Sequence, residues 1–464
     1  MPAPTDSTTR TPERRPVPRS AVTPRLLVVL VLVTLVAAVL ALLSKQWCRV
    51  NGWGTPDAHI HMCYSDFAQL FPTRGLAEAW FPFYTPLPED QWLEYPALLA
   101  VIAGLTAWMV PGEGATLERT VAYFDINAAL ITVCWIITVI ATAYTARNRP
   151  KDALLVALAP AMILTAFINW DLWAVMLGSL ALWAFARNQN VLAGVLIGLG
   201  TAMKLYPLFF LGAILVLAIR TGKLGVFAKV IFPAAITWLA VNLPFMLTAF
   251  DQWSRFYTFS SDREVSFSSM WLALDFTGWS GETFSLISNG LFALCCVGIL
   301  VLGLRAPVRP RMAQLCLLIV AAFILLGKVY SPQFVTWLIP LVVLARPKQS
   351  QFWIWQAAEV YHFGGVWMES ARITSGGDFG DWWVTAWYAT GIIAHMVALI
   401  WICLSVIGNI LRPQRDELRG DGSQNSPIDP GGGDFNAAED RWVLSPARRN
   451  GSVDTSQATS PATR

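Results

Sequence analysis

The chain has 464 residues, of which 55% are hydrophobic and only 14% are charged, and its formal net charge is +3. A soluble globular protein carries about 25% charged residues, so the composition excludes that class and indicates a polytopic membrane protein. The small positive charge is spread over short loops instead of one patch, which excludes nucleic acid as a partner.

Residues 1–25 are rich in proline, arginine, serine and threonine, and we expect them to form a disordered cytoplasmic N-terminus. The first apolar span follows at 26–44. A signal peptide is the alternative, but its apolar region measures about 7–15 residues and ends at a small-residue cleavage site. The span is longer, and Ser44-Lys45-Gln46-Trp47 is a poor cleavage site, so we interpret it as a retained helix.

About twelve apolar spans follow one another along the chain and predict an all-α polytopic membrane protein. They cover 26–44, 121–146, 152–168, 170–186, 190–203, 206–220, 226–249, 286–304, 312–327, 333–345, 351–369 and 383–410. The basic connections alternate correctly under the positive-inside rule only if the further apolar stretch 96–110 does not cross. We therefore expect 96–110 to be re-entrant or parallel to the membrane, and both termini to be cytoplasmic.

This topology gives one transmembrane domain, 26–412, followed by a polar, glycine-rich tail, 413–464, that we expect to be disordered and cytoplasmic. The outer side receives the long loop 45–95 and the polar connections between later spans. Cys48 and Cys63 lie in that loop and could form a disulfide if it faces an oxidising compartment. The concentration of polar residues predicts a working site on the outer face of the plasma membrane.

Asp66 is the first candidate catalytic residue. Most acids in exposed loops are solvated surface charges, but Asp66 has apolar and aromatic neighbours, among them Tyr64, and begins a segment that resembles a surface-lying amphipathic helix. Partial desolvation would raise its pKa and make it a better base. Glu94 is the rival, because a carboxylate at a membrane boundary is costly unless it is paired or functional. A favourable position at a helix N-terminus explains Glu94 almost as well.

Candidate substrate-binding residues occupy polar breaks between later spans. Asn169 and Asp171 would face the outer cavity, although helix capping also accounts for them. Lys204 lies between apolar residues and could neutralise a lipid phosphate or extend to the interface. The remaining candidates are aromatic, basic or amide side chains in the same outer segments: Tyr64, Tyr95, Tyr206, Arg255, Arg263, Lys328 and Gln333.

Metal and cofactor signals are weak. His59 and His61 with Asp57 form only a weak metal-ligand pattern, and we expect no metal site and no cofactor. The sequence contains neither an Asp-x-Asp pair of the nucleotide-sugar type nor a P-loop pattern, which argues against a soluble nucleotide donor.

In their order along the chain, these motifs resemble the GT-C membrane glycosyltransferases, and more closely the actinobacterial polyprenyl-phosphate-mannose-dependent mannosyltransferases of glycosyltransferase family 87. The resemblance runs from about 26 to 410. It is carried by Asp66 with Leu70-Phe71, Tyr95-Pro96, Lys204-Leu205-Tyr206-Pro207, and Ser331-Pro332-Gln333-Phe334 with Trp337. It implies that Asp66 is the catalytic aspartate of the first outer loop and that the enzyme inverts the sugar configuration.

The expected function is transfer of a sugar, mannose by the resemblance, from a polyprenyl-phosphate donor to a cell-envelope glycolipid or lipoglycan. The acceptor hydroxyl needs a general base, and cationic groups must stabilise the charge on the leaving phosphate. A transporter or flippase of lipid-linked sugars is the alternative. Transporters commonly show inverted repeats with charges in matched halves, a pattern that this sequence does not display.

Overall fold

The computed structural model describes residues 22–266, 268–273, 280–346, 348–419 and 429–444. Most of the N-terminal segment predicted to be disordered, residues 1–21, lies outside them. Within the described residues the chain is helical, and its β-structure is limited to one isolated bridge between Ser266 and Val329. The predicted all-α class is confirmed.

Nineteen α-helices follow one another within the described residues. The first ten are α1 Pro24–Leu43, α2 Gln46–Asn51, α3 Asp57–Ile60, α4 Asp66–Thr73, α5 Ala97–Trp108, α6 Leu117–Ala146, α7 Ala153–Leu158, α8 Pro160–Thr165, α9 Asp171–Ala186 and α10 Asn190–Met203. The others are α11 Phe210–Thr221, α12 Leu224–Thr248, α13 Phe250–Asp262, α14 Met270–Ala273, α15 Gly281–Arg305, α16 Met312–Leu326, α17 Val335–Ala345, α18 Gln349–Thr374 and α19 Trp382–Leu411. Short 3-10 turns at Tyr206–Phe209 and Pro332–Phe334 lead into α11 and α17.

Five helices, α1, α6, α12, α15 and α19, are long and apolar enough to cross a membrane. Shorter apolar helices lie in five of the remaining predicted spans, and two of them begin at proline-containing turns. The span 152–168 holds the short helices α7 and α8, and 351–369 lies within α18. Irregular backbone at membrane depth is tolerated where protein or a cavity surrounds it. The chain is therefore a multi-pass membrane protein, as the hydropathy pattern predicts.

Helix α5 covers most of the stretch expected not to cross. Its 12 residues extend about 18 Å at 1.5 Å per residue, well short of the ~30 Å hydrocarbon core. Both of its ends contact the first outer loop: the Tyr95 hydroxyl bonds Asp66, and the Trp108 indole donates to the Ala79 carbonyl at 3.0 Å. The non-crossing orientation of α5 stays a prediction.

The connections between crossing segments form two groups, one at each end of the bundle. In one group, arginines donate to carbonyls of neighbouring connections: Arg147 to Ala186 at 2.6 Å and Arg220 to Gly303 at 2.6 Å. In the other group, the first outer loop bonds the connections after α8 and α12, including Gln252 to the Thr85 carbonyl at 3.2 Å. The basic connections and the candidate site thus occupy different ends.

Part of the C-terminal tail packs on the basic end. The Asp440 carboxylate accepts from Arg220 at 2.9 Å and from Arg309 at 2.7 Å, and Phe435 is buried. Asp416 forms a buried ion pair with Arg311 at 2.9 Å. The order of 413–419 and 429–444 differs from the predicted disorder, because tail carboxylates meet arginines from distant connections. Residues 420–428 and 445–464 lie outside the described residues.

Helices α10 and α12 approach closely through two glycines spaced four residues apart. A Cβ on Gly194 would collide with the Val230 carbonyl, and one on Gly198 with the Ala234 carbonyl. Small residues at this spacing allow close backbone contact between helices in a membrane. The packing sets the position of the C-terminus of α10, where Lys204 lies.

Candidate functional site

Asp66 is the first residue of α4 and is anchored through the backbone. Its N–H donates to the Ile168 carbonyl at 2.7 Å, and the Ser65 hydroxyl donates to the Phe167 carbonyl at 2.8 Å. Phe67 is buried one residue later and packs edge-on against Trp170 with ring centroids 4.7 Å apart. The aromatic residues that marked this segment in the sequence therefore hold the carboxylate beside the start of α9.

Tyr95 and Asn169 complete the surroundings of this carboxylate. The Tyr95 hydroxyl donates to Asp66 Oδ2 at 2.5 Å, and the Asn169 amide donates to the same hydroxyl at 3.4 Å. Burial raises the pKa of Asp66, while hydrogen bonds from Tyr95 and Tyr64 and the charge of Lys204 oppose that rise. Asp66 is only half-buried, so a reactant can reach it.

Lys204 and Asp171 form a buried ion pair close to Asp66. The ammonium lies 2.9 Å from Asp171 Oδ1, with the side chains 13% and 2% exposed. The Trp337 indole donates to Asp171 Oδ2 at 2.9 Å, and Tyr206 stacks on Trp337 at 4.9 Å. The ammonium also lies 5.1 Å from the centre of the Tyr95 ring, a cation–π distance. The lysine is thus held by a carboxylate and an aromatic wall.

Glu94 lies in a separate cluster with arginines. Its carboxylate oxygens are 3.8 Å from Arg74 and 3.6 Å from Arg255, and Arg255 also pairs with Glu89 at 3.2 Å. The Nε atoms of Arg74 and Arg255 are buried and have no hydrogen-bond partner. Two guanidinium groups with buried, unsatisfied N–H donors make this cluster suited to an additional anion.

Arg263 lies between the two clusters. Burial lowers the pKa of its guanidinium, and the carboxylates of Glu94 and Asp66 oppose that effect. Its Nε donates to the Ser266 hydroxyl at 3.0 Å. The arrangement adds positive charge on the side of Asp66 that faces Glu94.

Lys328 and Gln333 have other surroundings. The Lys328 ammonium donates to the carbonyls of Ser261 and Arg263, each at 2.8 Å, and to the Ser285 hydroxyl at 2.7 Å. These contacts tie the end of α13 to α15, and a phosphate contact for this lysine stays a prediction. Gln333 is buried in the turn that precedes α17, beside Phe334, whose ring lies 5.8 Å from the Lys204 ammonium.

Two polar residues near the site, Arg74 and Lys45, were not among the candidates predicted from the sequence. For Arg74 the one sequence signal is a basic side chain in loop 45–95, which is predicted to face outward, where basic residues are depleted. Lys45 is fully buried, and its ammonium donates to the Tyr64 carbonyl at 3.1 Å. Burial lowers the pKa of Lys45 to about 7. Tyr64 stacks in turn on Trp367 at 5.0 Å.

Cys48 and Cys63 form a disulfide that ties α2 to the residues just before Asp66. The sequence left this pairing open. The Trp53 indole donates to the Cys63 carbonyl at 3.1 Å. The bridge limits the freedom of the segment that carries Tyr64 and Asp66.

An apolar cavity of about 490 Å³ lies beside this group of residues. It is lined by Gly198, Thr201, Leu205, Leu208, Ala234 and Trp238 together with Phe256 and Tyr257 of α13. Leu205 is the neighbour of Lys204 in the chain, and most of the remaining lining belongs to α10, α12 and α13. An aliphatic chain matches its lining.

The fold is that of a multi-pass helical membrane protein, and the site combines a half-buried carboxylate, a cationic cluster and an apolar cavity. Together they define a class of protein: a membrane enzyme suited to lipid-linked substrates. The family model of glycosyltransferase family 87 matches residues 92–327, which is 236 of the 464 residues. The chain belongs to glycosyltransferase family 87 and is a membrane glycosyltransferase. The matched range includes Tyr95, Asn169, Asp171 and Lys204, whereas Asp66 precedes it.

Among solved structures, the chain is similar to ArnT from Cupriavidus metallidurans, whose crystal structure was determined bound to undecaprenyl phosphate. The TM-score is 0.43 at 13% sequence identity, and the match covers 82% of this chain and 77% of ArnT. The chain has no match among curated proteins.

Proposed function

We propose that the protein transfers mannose from a polyprenyl-phosphate donor to a cell-envelope glycolipid or lipoglycan acceptor, with inversion and with Asp66 as general base. The observation that carries the proposal is the half-buried Asp66 carboxylate, which accepts from Tyr95 and lies close to the ion pair between Lys204 and Asp171. An arginine cluster and an apolar cavity elsewhere in the same helical bundle add to it. Mannose itself rests on the resemblance of the motifs.

The base assignment follows from the chemistry of the acceptor. A sugar hydroxyl has a high pKa and needs a proton acceptor within hydrogen-bond reach in the transition state. Asp66 supplies an anchored carboxylate whose pKa is raised by burial, which strengthens it as a base, while its tyrosine hydrogen bonds oppose that rise. Asp171 is engaged by Lys204 and Trp337, which makes it a positioning residue.

The transfer is a single displacement. The acceptor oxygen forms a bond to the anomeric carbon while the bond from that carbon to the phosphate oxygen breaks, and the proton passes to Asp66. Polyprenyl phosphate leaves with the electron pair. One carboxylate suffices for this route, and inversion follows because attack and departure occur on opposite faces of the sugar.

The leaving phosphate needs hydrogen-bond donors and positive charge. Arg74 and Arg255 pair with Glu94 but keep unsatisfied Nε donors, and Arg263 adds positive charge near Asp66. Preorganised cations at the position where negative charge develops are among the strongest contributions to catalysis. The cavity along α10 and α12 would accept the first isoprene units of the lipid.

Two observations support an outer-face site. The basic connections meet at the end of the bundle away from Asp66, in agreement with the positive-inside rule. The disulfide between Cys48 and Cys63 lies beside the site, and disulfides persist in oxidising compartments.

The test is transfer by the full-length protein in nanodiscs, with labelled polyprenyl-phosphate mannose and an envelope glycolipid extract. Asp66→Asn should reduce the rate by about 10²–10⁴-fold, the usual contribution of a general base. Asp90→Asn is the matched control, because Asp90 is an exposed acid of the same loop. Wild-type rates in Asp66→Asn would remove Asp66 as the base.

The donor and the reaction class are tested separately. Parallel assays with mannose, arabinose and glucose on the same lipid phosphate would overturn the mannose assignment if another sugar is turned over instead. In sealed vesicles, movement of intact lipid-linked sugar without formation of a new glycoside would favour the flippase alternative. Glycolipid profiling of a deletion strain would then identify the acceptor.

A further inference from the structure

Three metal-ligating side chains meet away from Asp66, in the contact between α18 and α19. Glu359 and His362 belong to α18, and His395 belongs to α19. One ligand atom from each lies within 4.8 Å of the others, and all three side chains are buried. The transfer mechanism does not use them.

The sequence explains why they converge. Glu359 and His362 are three residues apart, so they share one face of α18. Helices α18 and α19 pack closely, because Gly365 of α18 lies against the backbone of Tyr388 and Gly391 of α19 against the backbone of His362. A Glu-x-x-His pair on one helix facing a histidine on the next is an arrangement that helix bundles use to bind metal ions.

The hydrogen bonds around the cluster are incomplete. The Glu359 carboxylate accepts from the Tyr330 hydroxyl at 3.0 Å and from the Trp355 indole at 2.9 Å. In contrast, both ring nitrogens of His395 and Nε2 of His362 are buried and have no hydrogen-bond partner. Buried polar atoms are usually satisfied, and a buried carboxylate among apolar helices needs a compensating positive charge.

We propose that Glu359, His362 and His395 bind one Zn²⁺ ion. His395 Nδ1 lies 3.7 Å from Glu359 Oε1, and His362 Nδ1 lies 4.0 Å from Glu359 Oε2. Tetrahedral zinc with metal–ligand bonds of about 2.0–2.2 Å separates its ligand atoms by about 3.3–3.6 Å. The separation between the two histidine ligand atoms is at most 4.8 Å, so a contraction of up to about 1 Å brings the three ligands to zinc distances.

The surrounding residues match the outer shell of a zinc site. Tyr330 and Trp355 hold the carboxylate oxygens by hydrogen bonds, which is how metal-binding carboxylates are oriented. Zn²⁺ would supply the positive charge that Glu359 requires and would use histidine nitrogens that otherwise lack partners. Water fills the fourth position.

The zinc site would stabilise the aromatic residues beside Lys204. Tyr330 precedes the 3-10 turn that ends at Phe334 and leads into α17, which carries Trp337. The rings of Phe334 and Trp337 lie 5.8 and 6.0 Å from the Lys204 ammonium. By fixing Tyr330 through Glu359, the metal would link α18 and α19 to the aromatic residues beside Lys204. Its role is structural and independent of the transferred sugar.

The experiment measures metal in the full-length protein purified in nanodiscs. We expect close to one zinc per chain by elemental analysis, removal by a strong chelator, and recovery on addition of zinc chloride. Cobalt chloride added to the chelated protein should give the visible absorption of tetrahedral Co²⁺. Thermal unfolding should occur at a lower temperature after chelation and return with zinc.

Variants assign the ligands. His395→Gln should reduce bound zinc at least tenfold, whereas His61→Gln, which changes an exposed histidine in the first outer loop, should leave it unchanged. If His395→Gln does not fold, the wild-type titration still decides. Wild-type protein that binds neither Zn²⁺ nor Co²⁺ at micromolar concentration, or that retains zinc in a folded His395→Gln variant, overturns the proposal.

Discussion

The ion pair between Lys204 and Asp171 gives the most discriminating prediction. The two groups are 2.9 Å apart and nearly buried, and at an effective dielectric constant of 20 their attraction is about 6 kcal/mol before desolvation is subtracted. Removing one partner leaves an uncompensated buried charge, which costs about 3–5 kcal/mol. We therefore expect Lys204→Met and Asp171→Asn each to lower stability strongly.

The double variant separates stability from catalysis. Lys204→Met with Asp171→Asn removes both charges, so most of the lost stability should return, as it does when buried pairs are replaced together. Thermal unfolding in nanodiscs should rank the wild type and the double variant above both single variants. A double variant no more stable than the single variants would show that the pair is not coupled.

The same variants move the pH profile of transfer in opposite directions. The charge of Lys204 lowers the pKa of Asp66, and that of Asp171 raises it. A base must be deprotonated, so Lys204→Met should move the acidic limb of kcat/KM to higher pH and Asp171→Asn should move it to lower pH. A common direction of shift in both single variants would refute Asp66 as the titrating base.

Three further predictions concern single contacts. Tyr95→Phe removes a hydrogen bond that lowers the pKa of Asp66, so the acidic limb of kcat/KM should move to higher pH; an unmoved limb would contradict this. Arg255→Gln should raise the KM for the lipid donor about tenfold or more, because a charge-assisted contact to an anion is worth about 1.5–3 kcal/mol; unchanged donor KM would place the phosphate elsewhere. Cys48→Ser should lower stability by about 3 kcal/mol, the entropic contribution of a loop closed over 15 residues, and a reductant should leave this variant's unfolding temperature unchanged while lowering that of the wild type.

The crossing segments could be predicted because hydropathy is local. Every predicted span contains a helix of the structure, whereas the non-crossing orientation that the positive-inside rule predicts for α5 stays a prediction. The count of crossing spans also predicts that Asn169, Lys204 and Tyr95 lie on the same side, because each is next to a helix terminus.

Pairings between side chains could not be predicted, because they depend on distances across the fold. Lys204 and Lys328 look alike in sequence, as single lysines at polar breaks. One pairs with Asp171 beside the candidate base, and the other binds backbone carbonyls at the end of α13. The tail residue Asp440 likewise depends on Arg220 and Arg309, which lie far away in the chain.

The buried cluster on α18 was missed for a different reason. Averaged hydropathy hides single polar residues, and Glu359 lies within a predicted span of otherwise apolar and aromatic character. An ionisable residue inside a membrane helix is a functional candidate by default. Read residue by residue, Glu359 and His362 at helical spacing carried that signal.

The distribution of charge supports the proposal of Asp66 rather than Glu94 as the base. Around Asp66 two carboxylates, Asp66 and Asp171, face the ammonium of Lys204, so one negative charge remains there. Glu94 lies instead between Arg74 and Arg255, and both of its carboxylate oxygens are engaged by these guanidinium groups. A phosphate is attracted to the arginines and a hydroxyl proton to Asp66, which orients the donor with its anomeric carbon between them. In that orientation the acceptor oxygen would attack from the side of Asp66 and the phosphate would depart toward the arginines, which agrees with the proposed inversion.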